Sequence, residues 1–139
     1  MPGVAQTVGM RILHLASRAA WESAVAKGEY SESTRDASLA EVGFIHASTA
    51  SQVEGVLARH YADADLADFL LLVVDVASCE AAGSAMRWDP VGDTSFPHFY
   101  GPIPVAAVVA QVPLSRDAAG VLRPVDLTGL DVVATPPTG

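Results

Sequence analysis

The chain has a single cysteine, Cys79, in 139 residues. One thiol can form no internal disulfide and no cysteine-based zinc site. It fits a reducing cytoplasm, where thiols stay free. Basic residues are also scarce. Eight Lys and Arg stand against 16 Asp and Glu, for a net charge of −8. A surface of that sign repels phosphate backbones, which excludes general nucleic-acid binding but leaves room for one small nucleotide in a local basic pocket. Long hydrophobic runs are absent. The run at 69–74 is far short of a membrane span, so no membrane partner is expected. Residues 1–9 have no basic stretch leading into an apolar one and do not read as a signal peptide. The Walker loop, Gly-x-Gly-x-x-Gly and the Gly-x-Ser-x-Gly elbow are all missing. The histidines show neither His-x-His nor His-x-x-x-His spacing, so no metal is expected.

What is present is a folded chain. Half of the residues are hydrophobic and 17% are charged, which excludes disorder throughout. The length suits one domain. We place it at 11–123, between a flexible segment 1–10 and a proline-containing tail 124–139, of which 127–133 could dock.

Residues 11–16 form a short apolar run ending at Ser17, which reads as the N-cap of a helix over 18–27. Gly28 is placed to end that helix. Trp21 and Val25, four apart, share a face. Residues 29–38 read as a polar loop, and 43–47 as a second short strand. Thr49 and Gln52 match a capping box for a helix over 50–61, with Val53, Val56, Leu57 and His60 on one stripe. The apolar stretch 69–76 reads as a strand buried on both faces. Residues 87–89 read as a short strand. Pro97, Pro102, Pro104 and Gly101 predict that 93–104 is mostly loop. A strand over 105–114, a turn at 117–120 and a returning segment at 121–123 complete the domain. The order gives an α+β fold with a mostly antiparallel or mixed sheet and two main helices.

Of the four histidines, three are candidates for chemistry. His14 and His46 each sit at a strand-to-helix junction beside hydroxyls, Ser17 in one case and Ser48 and Thr49 in the other. Helix N-termini attract anions, phosphate included, which points to a nucleotide site. His98 and Tyr100 lie in Phe-Pro-His-Phe-Tyr-Gly-Pro (96–102), where prolines and glycine limit conformational freedom and preorganise a wall or a catalytic group. Arg87 and Asp89 alternate about Trp88 and so share a face. Arg87 could hold a phosphate or pair with an acid. His60 is read as structural. Cys79 has no basic neighbour to lower its pKa and is not read as a nucleophile.

Ile12-Leu13-His14-Leu15-Ala16, Gly43-Phe44-Ile45-His46-Ala47-Ser48-Thr49 and 96–102 together resemble the bacterial domain-of-unknown-function family 952, over about 11–123. The fold of that family is similar to that of ADP-ribosyltransferases and RNA 2′-phosphotransferases. The resemblance implies two small sheets flanking a cleft, and a small cytoplasmic transferase acting on NAD or a related nucleotide. NAD would be a substrate, and no metal would be needed. By the same resemblance, His14 would orient ribose hydroxyls, and His46, Ser48 and Tyr100 would wall the base or ribose. Arg87 or Arg18 would meet the pyrophosphate. His98 would act as a general base. Asp89 or His98 would stand for the transferase glutamate. The chain carries Leu15 where the transferases have glycine, Ala47 where many family members have cysteine, and Asp89 where glutamate is common. Two alternatives keep the same residues: a nucleotide- or ADP-ribose-binding module without turnover, and a metal-dependent enzyme using His14, His46 and His98.

Overall fold

A computed structural model describes residues 10–34 and 37–137. The segment 1–9, expected to be flexible, lies outside the described residues. The first strand, β1 (Arg11–Ser17), runs directly into α1 (Arg18–Lys27). The Ser17 side chain accepts from Ala20 N, and Gly28 ends the helix at φ 93°, a conformation that side chains resist. Trp21 is buried, but Val25 is 53% exposed, so the two do not share a buried face. The helix buries Trp21 and Ala24 against the core and leaves Val25 on its outer side.

The polar stretch 29–38 is not a loop. It holds three short strands, β2 (Glu29–Tyr30), β3 (Glu32–Thr34) and β4 (Ala37–Ser38), followed by one helical turn, α2 (Leu39–Val42). Then come β5 (Ile45–His46) and α3 (Ala50–His60). Gln52 accepts from Thr49 N at 3.0 Å, the half of a capping box that a glutamine supplies. Val53, Val56 and Leu57 are buried, while His60 lies exposed and outside that stripe.

β6 (Phe69–Asp75) is the centre of the first sheet, ordered β1-β6-β10, with β10 at Val108–Pro113. Both pairings are antiparallel. Leu70, Leu72 and Val74 face one hydrophobic cluster, and Leu71 and Val73 face another. Apolar cores on both faces explain why the strand reads as an unbroken run. The expected strand 105–114 opens as a 3-10 turn, Val105–Ala107, before β10 begins.

A helical turn, α4 (Val76–Ala81), capped by the Asp75 carboxylate, leads to the second sheet. This sheet is ordered β5-β8-β7, with β7 at Ala85–Val91 and β8 at Thr94–Tyr100. β8 corrects the loop expected at 93–104: it is the central strand, with Pro97 in its middle. The Pro97 carbonyl accepts from Ala47 N, so the edge on which Pro97 lacks an N–H faces β5 just where β5 ends. The ladder to β7 continues past Trp88↔Pro97 unbroken. A short β9 (Ile103–Pro104) pairs with β2. Among the described residues the architecture is thus α+β, with two three-stranded antiparallel sheets, two two-stranded ladders and two main helices. Among the described residues no helix is long and apolar enough to cross a membrane.

Gly101 packs against Ser84 at the α4–β7 turn. A Cβ on Gly101 would sit 3.0–3.1 Å from the Ser84 side chain and Cα. Gly101→Ala is therefore expected to lower stability by about 1–2 kcal/mol, a typical cost of overpacking, as read by chemical denaturation.

The tail is bound along 125–134. Leu127, Leu130 and Val132 pack on the second cluster. Val132 pairs with Arg11 in parallel, and Val133 N donates to Arg11 O at 2.9 Å.

Candidate active site

Three backbone pairings assemble the site. Leu13 and Ser48 exchange both backbone hydrogen bonds, joining the free edge of β1 to the residue pair after β5. His46 lies opposite His98, and His98 lies opposite Arg87, across β5, β8 and β7. Strand alternation then sends His46, His98, Arg87, Asp89, Phe96 and Tyr100 to one face of the second sheet. Ile45, Met86 and Phe99 turn to the core on the other.

On that face a hydrogen-bonded row runs from a carboxylate to an imidazole. His98 Nδ1 lies 2.7 Å from Asp89 Oδ2, and His98 Nε2 lies 3.2 Å from His46 Nδ1. Tyr100 donates its hydroxyl to the same Asp89 oxygen. Phe44 stacks on the His98 ring at 4.1 Å, and the Arg87 guanidinium lies over the Tyr100 ring at 5.4 Å. His98 is buried, His46 and Asp89 are half-buried, and Tyr100 and Arg87 are exposed, so the row reaches from interior to surface. The Tyr100 hydroxyl holds the Asp89 carboxyl below the usual carboxylate range. The same bond pushes the Tyr100 phenol up. Burial, with His98 and His14 nearby, pushes His46 down to about 4.

His14 belongs to a second, deeper chain. Its Nδ1 lies 2.6 Å from the His46 carbonyl and its Nε2 lies 2.9 Å from the Tyr30 hydroxyl. A carbonyl only accepts, so Nδ1 carries the hydrogen and Tyr30 donates to Nε2. Both nitrogens are occupied inside the protein, and burial pushes the ring down to about 4. The ribose-orienting role expected of His14 would need one of these bonds to be given up. Tyr30 lines a cavity of about 530 Å³ together with Leu15, Ser17, Glu32, Asp65 and Asp68. That volume suits a small-molecule ligand.

The remaining candidates go elsewhere. Arg18 donates to Ala67 O at 2.6 Å, away from the row. Ser48 is buried and engaged through its backbone, and Thr49 is buried with its hydroxyl 3.2 Å from that of Ser51. The start of α3 does not wait for an anion: Ala50 N and Ser51 N donate to the tail carbonyls of Val133 and Ala134, each at 2.9 Å. Among the described residues no group of three His, Cys, Asp or Glu side chains is placed to hold a metal ion; the two His14 nitrogens are taken by the His46 carbonyl and the Tyr30 hydroxyl. Cys79 is buried, and burial pushes its thiol up to about 12, which leaves it inert.

Two members of the site were not singled out from sequence. Tyr30 is the aromatic in the polar stretch 29–38, and Phe44 lies two residues before His46, on the same strand face by alternation. Gln52 is a third contributor. Its amide donates to Ser95 O at 2.6 Å and so ties α3 to β8.

No curated protein matches the chain. Among solved structures it is similar to protein CC0527 from Caulobacter crescentus. The X-ray structure of CC0527 is 31% identical, covers 81% of this chain and 93% of its own, and superimposes with a TM-score of 0.65. The solution NMR structure of CC0527 gives 31% identity, 80% and 90% coverage and a TM-score of 0.62. A family model described as a protein of unknown function, DUF952, matches residues 15–111, which hold β1 from Leu15, both main helices, the whole Asp89–His98–His46 row and the start of β10. The chain belongs to the DUF952 family.

Proposed function

We propose that the protein is a small group-transfer enzyme of the ADP-ribosyl- or phosphotransferase type, acting on NAD or a related nucleotide, with His46 as its general base. The observation that carries this reading is the Asp89–His98–His46 row on a partly open sheet face. His98 has both nitrogens engaged, so the base role expected for it passes to His46, whose Nε2 makes no hydrogen bond among the described residues. A proton taken at His46 Nε2 is balanced by transfer of the Nδ1 proton to His98. The positive charge then rests on His98 beside the Asp89 carboxylate, which stabilises it.

The rest of the face suits a nucleotide. Cleaving the nicotinamide–ribose bond builds positive charge on the sugar, and an acceptor hydroxyl must lose a proton as it attacks. Arg87, exposed on this face, supplies a fork of donors for phosphate oxygens. The cavity at Tyr30 carries Glu32, Asp65 and Asp68. Those carboxylates repel phosphate there and favour the cationic nicotinamide ring. The resemblance of the sequence segments to a family whose fold is similar to that of ADP-ribosyltransferases supports this reading.

The test is nicotinamide release from NAD, followed by proton NMR with the purified protein. We expect turnover, and a loss of about 10²–10⁴-fold in His46→Gln, the usual range for a general base. NAD binding that shifts the imidazole signals without release would replace the enzyme by a binding module. Neither binding nor release at millimolar NAD would end the nucleotide reading.

A further inference from the structure

We infer that Asp89 is a positioning residue that acts two rings away: it fixes which nitrogen of His98 carries hydrogen, and through His98 it keeps the outer nitrogen of His46 bare. The inference deepens the reading of His46 as a base and follows from hydrogen-bond direction in the neutral rings. A carboxylate has only acceptors, so His98 donates through Nδ1 to Asp89 Oδ2. In the neutral ring its Nε2 then holds a lone pair. The 3.2 Å contact to His46 Nδ1 is a hydrogen bond only if His46 donates. His46 must therefore carry its hydrogen on Nδ1, which leaves Nε2 unprotonated. The hydrogen bond at one nitrogen of an imidazole sets the state of the other, and here two such constraints are coupled in series.

Tyr100 has a different part. It donates to the same Asp89 oxygen, so it strengthens the acceptor's fixed, ionised state without deciding the direction of the row. His14 is a built-in control. Its Nδ1 hydrogen is set by a backbone carbonyl, and no change at Asp89 alters that acceptor.

The experiment is nitrogen-15 NMR of the imidazole rings near neutral pH, on the full chain and on Asp89→Ala, Asp89→Glu and Tyr100→Phe. In the unaltered protein, His46 and His98 are expected with hydrogen on Nδ1 and an unprotonated Nε2. Asp89→Ala removes the acceptor. His98 then takes hydrogen on Nε2 and donates to His46 Nδ1, so His46 Nε2 becomes protonated. Both rings change together, while His14 keeps its pattern and reports that the fold is intact. Asp89→Glu and Tyr100→Phe are expected to keep the original pattern, since each retains a carboxylate. A purely structural role for Asp89 would lower stability and leave the His46 signals in place. The inference is overturned if His46 Nε2 is protonated in the unaltered protein, or if it stays bare in Asp89→Ala while His14 is unchanged. NAD turnover is not needed for this readout. If the rings change together and NAD is not cleaved, the positioning role stands and the transferase reading falls; if NAD is cleaved and the rings stay put, the reverse holds.

Discussion

Acidification from neutral pH towards pH 4 is expected to destabilise the protein by several kcal/mol. His14 is buried, and its folded pKa of about 4 lies below the ordinary 6.5. The unfolded chain therefore binds a proton that the native state refuses. Stability from this group is complete above about 6.5, declines as the pH falls through the interval, and levels off below about 4. At roughly 1.4 kcal/mol per pKa unit, His14 alone contributes about 3 kcal/mol. His46, pushed down to about 4 by burial and by its histidine neighbours, acts with the same sign. Asp89 joins at lower pH, since its depressed carboxyl also favours the native state until it is protonated. Urea denaturation at a series of pH values between neutral and about 4.5 measures the slope. A flat profile over that range would show that His14 is not held neutral in the native state.

Deleting residues 124–139 is expected to cost about 4 kcal/mol, a large part of the stability of a typical domain, on the order of 5–15 kcal/mol. Val125, Leu127, Leu130 and Val132 pack on the second cluster and Val133 on the first. Partly buried side chains of this kind contribute on the order of 1 kcal/mol each. Backbone bonds go with them. Arg11 Nη1 loses the Leu130 carbonyl, and Ala50 and Ser51 lose their acceptors at the start of α3. The midpoint of a urea melt reads the loss. A truncated chain as stable as the full one would make the docked tail an ornament. Freed amides at α3 would also turn that helix start, now closed to anions, into an exposed N-terminus; sulfate should then stabilise the truncated protein more than the full chain.

Local signals in the sequence marked the elements that depend on local physics. Ser17 and Gly28 bound α1, Thr49 and Gln52 open α3, and the run at 69–74 forms a strand between two cores. The misses share one cause. β2, β3 and β4 are too short to show a period, and β8 contains Pro97, which local rules place in a loop. Only the long-range fact that β5 stops at His46 makes a proline harmless in a central strand. The site divides in the same way. His46, His98, Asp89 and Tyr100 stood out as residue types in unusual settings. The order in which they bond depends on the register of three strands, with His46 and His98 52 positions apart, and no local pattern encodes it. His14 shows the opposite error: its setting resembled that of His46, yet strand alternation turned it inward to Tyr30.

The strap that Arg11 holds through Leu130 has a consequence for biosynthesis. The two residues are 119 positions apart. While the chain emerges from the ribosome, β1 stays without β6, whose Asp75 lies 64 positions after Arg11, and waits longer still for the strap. Until β6 emerges, β1 presents an apolar strand with an open edge, the form of chain that other nascent chains pair with most readily. Its non-local contacts also place the fold among the slower folders. A nascent chain stalled before β6 is therefore a natural client for a chaperone that shields extended apolar segments.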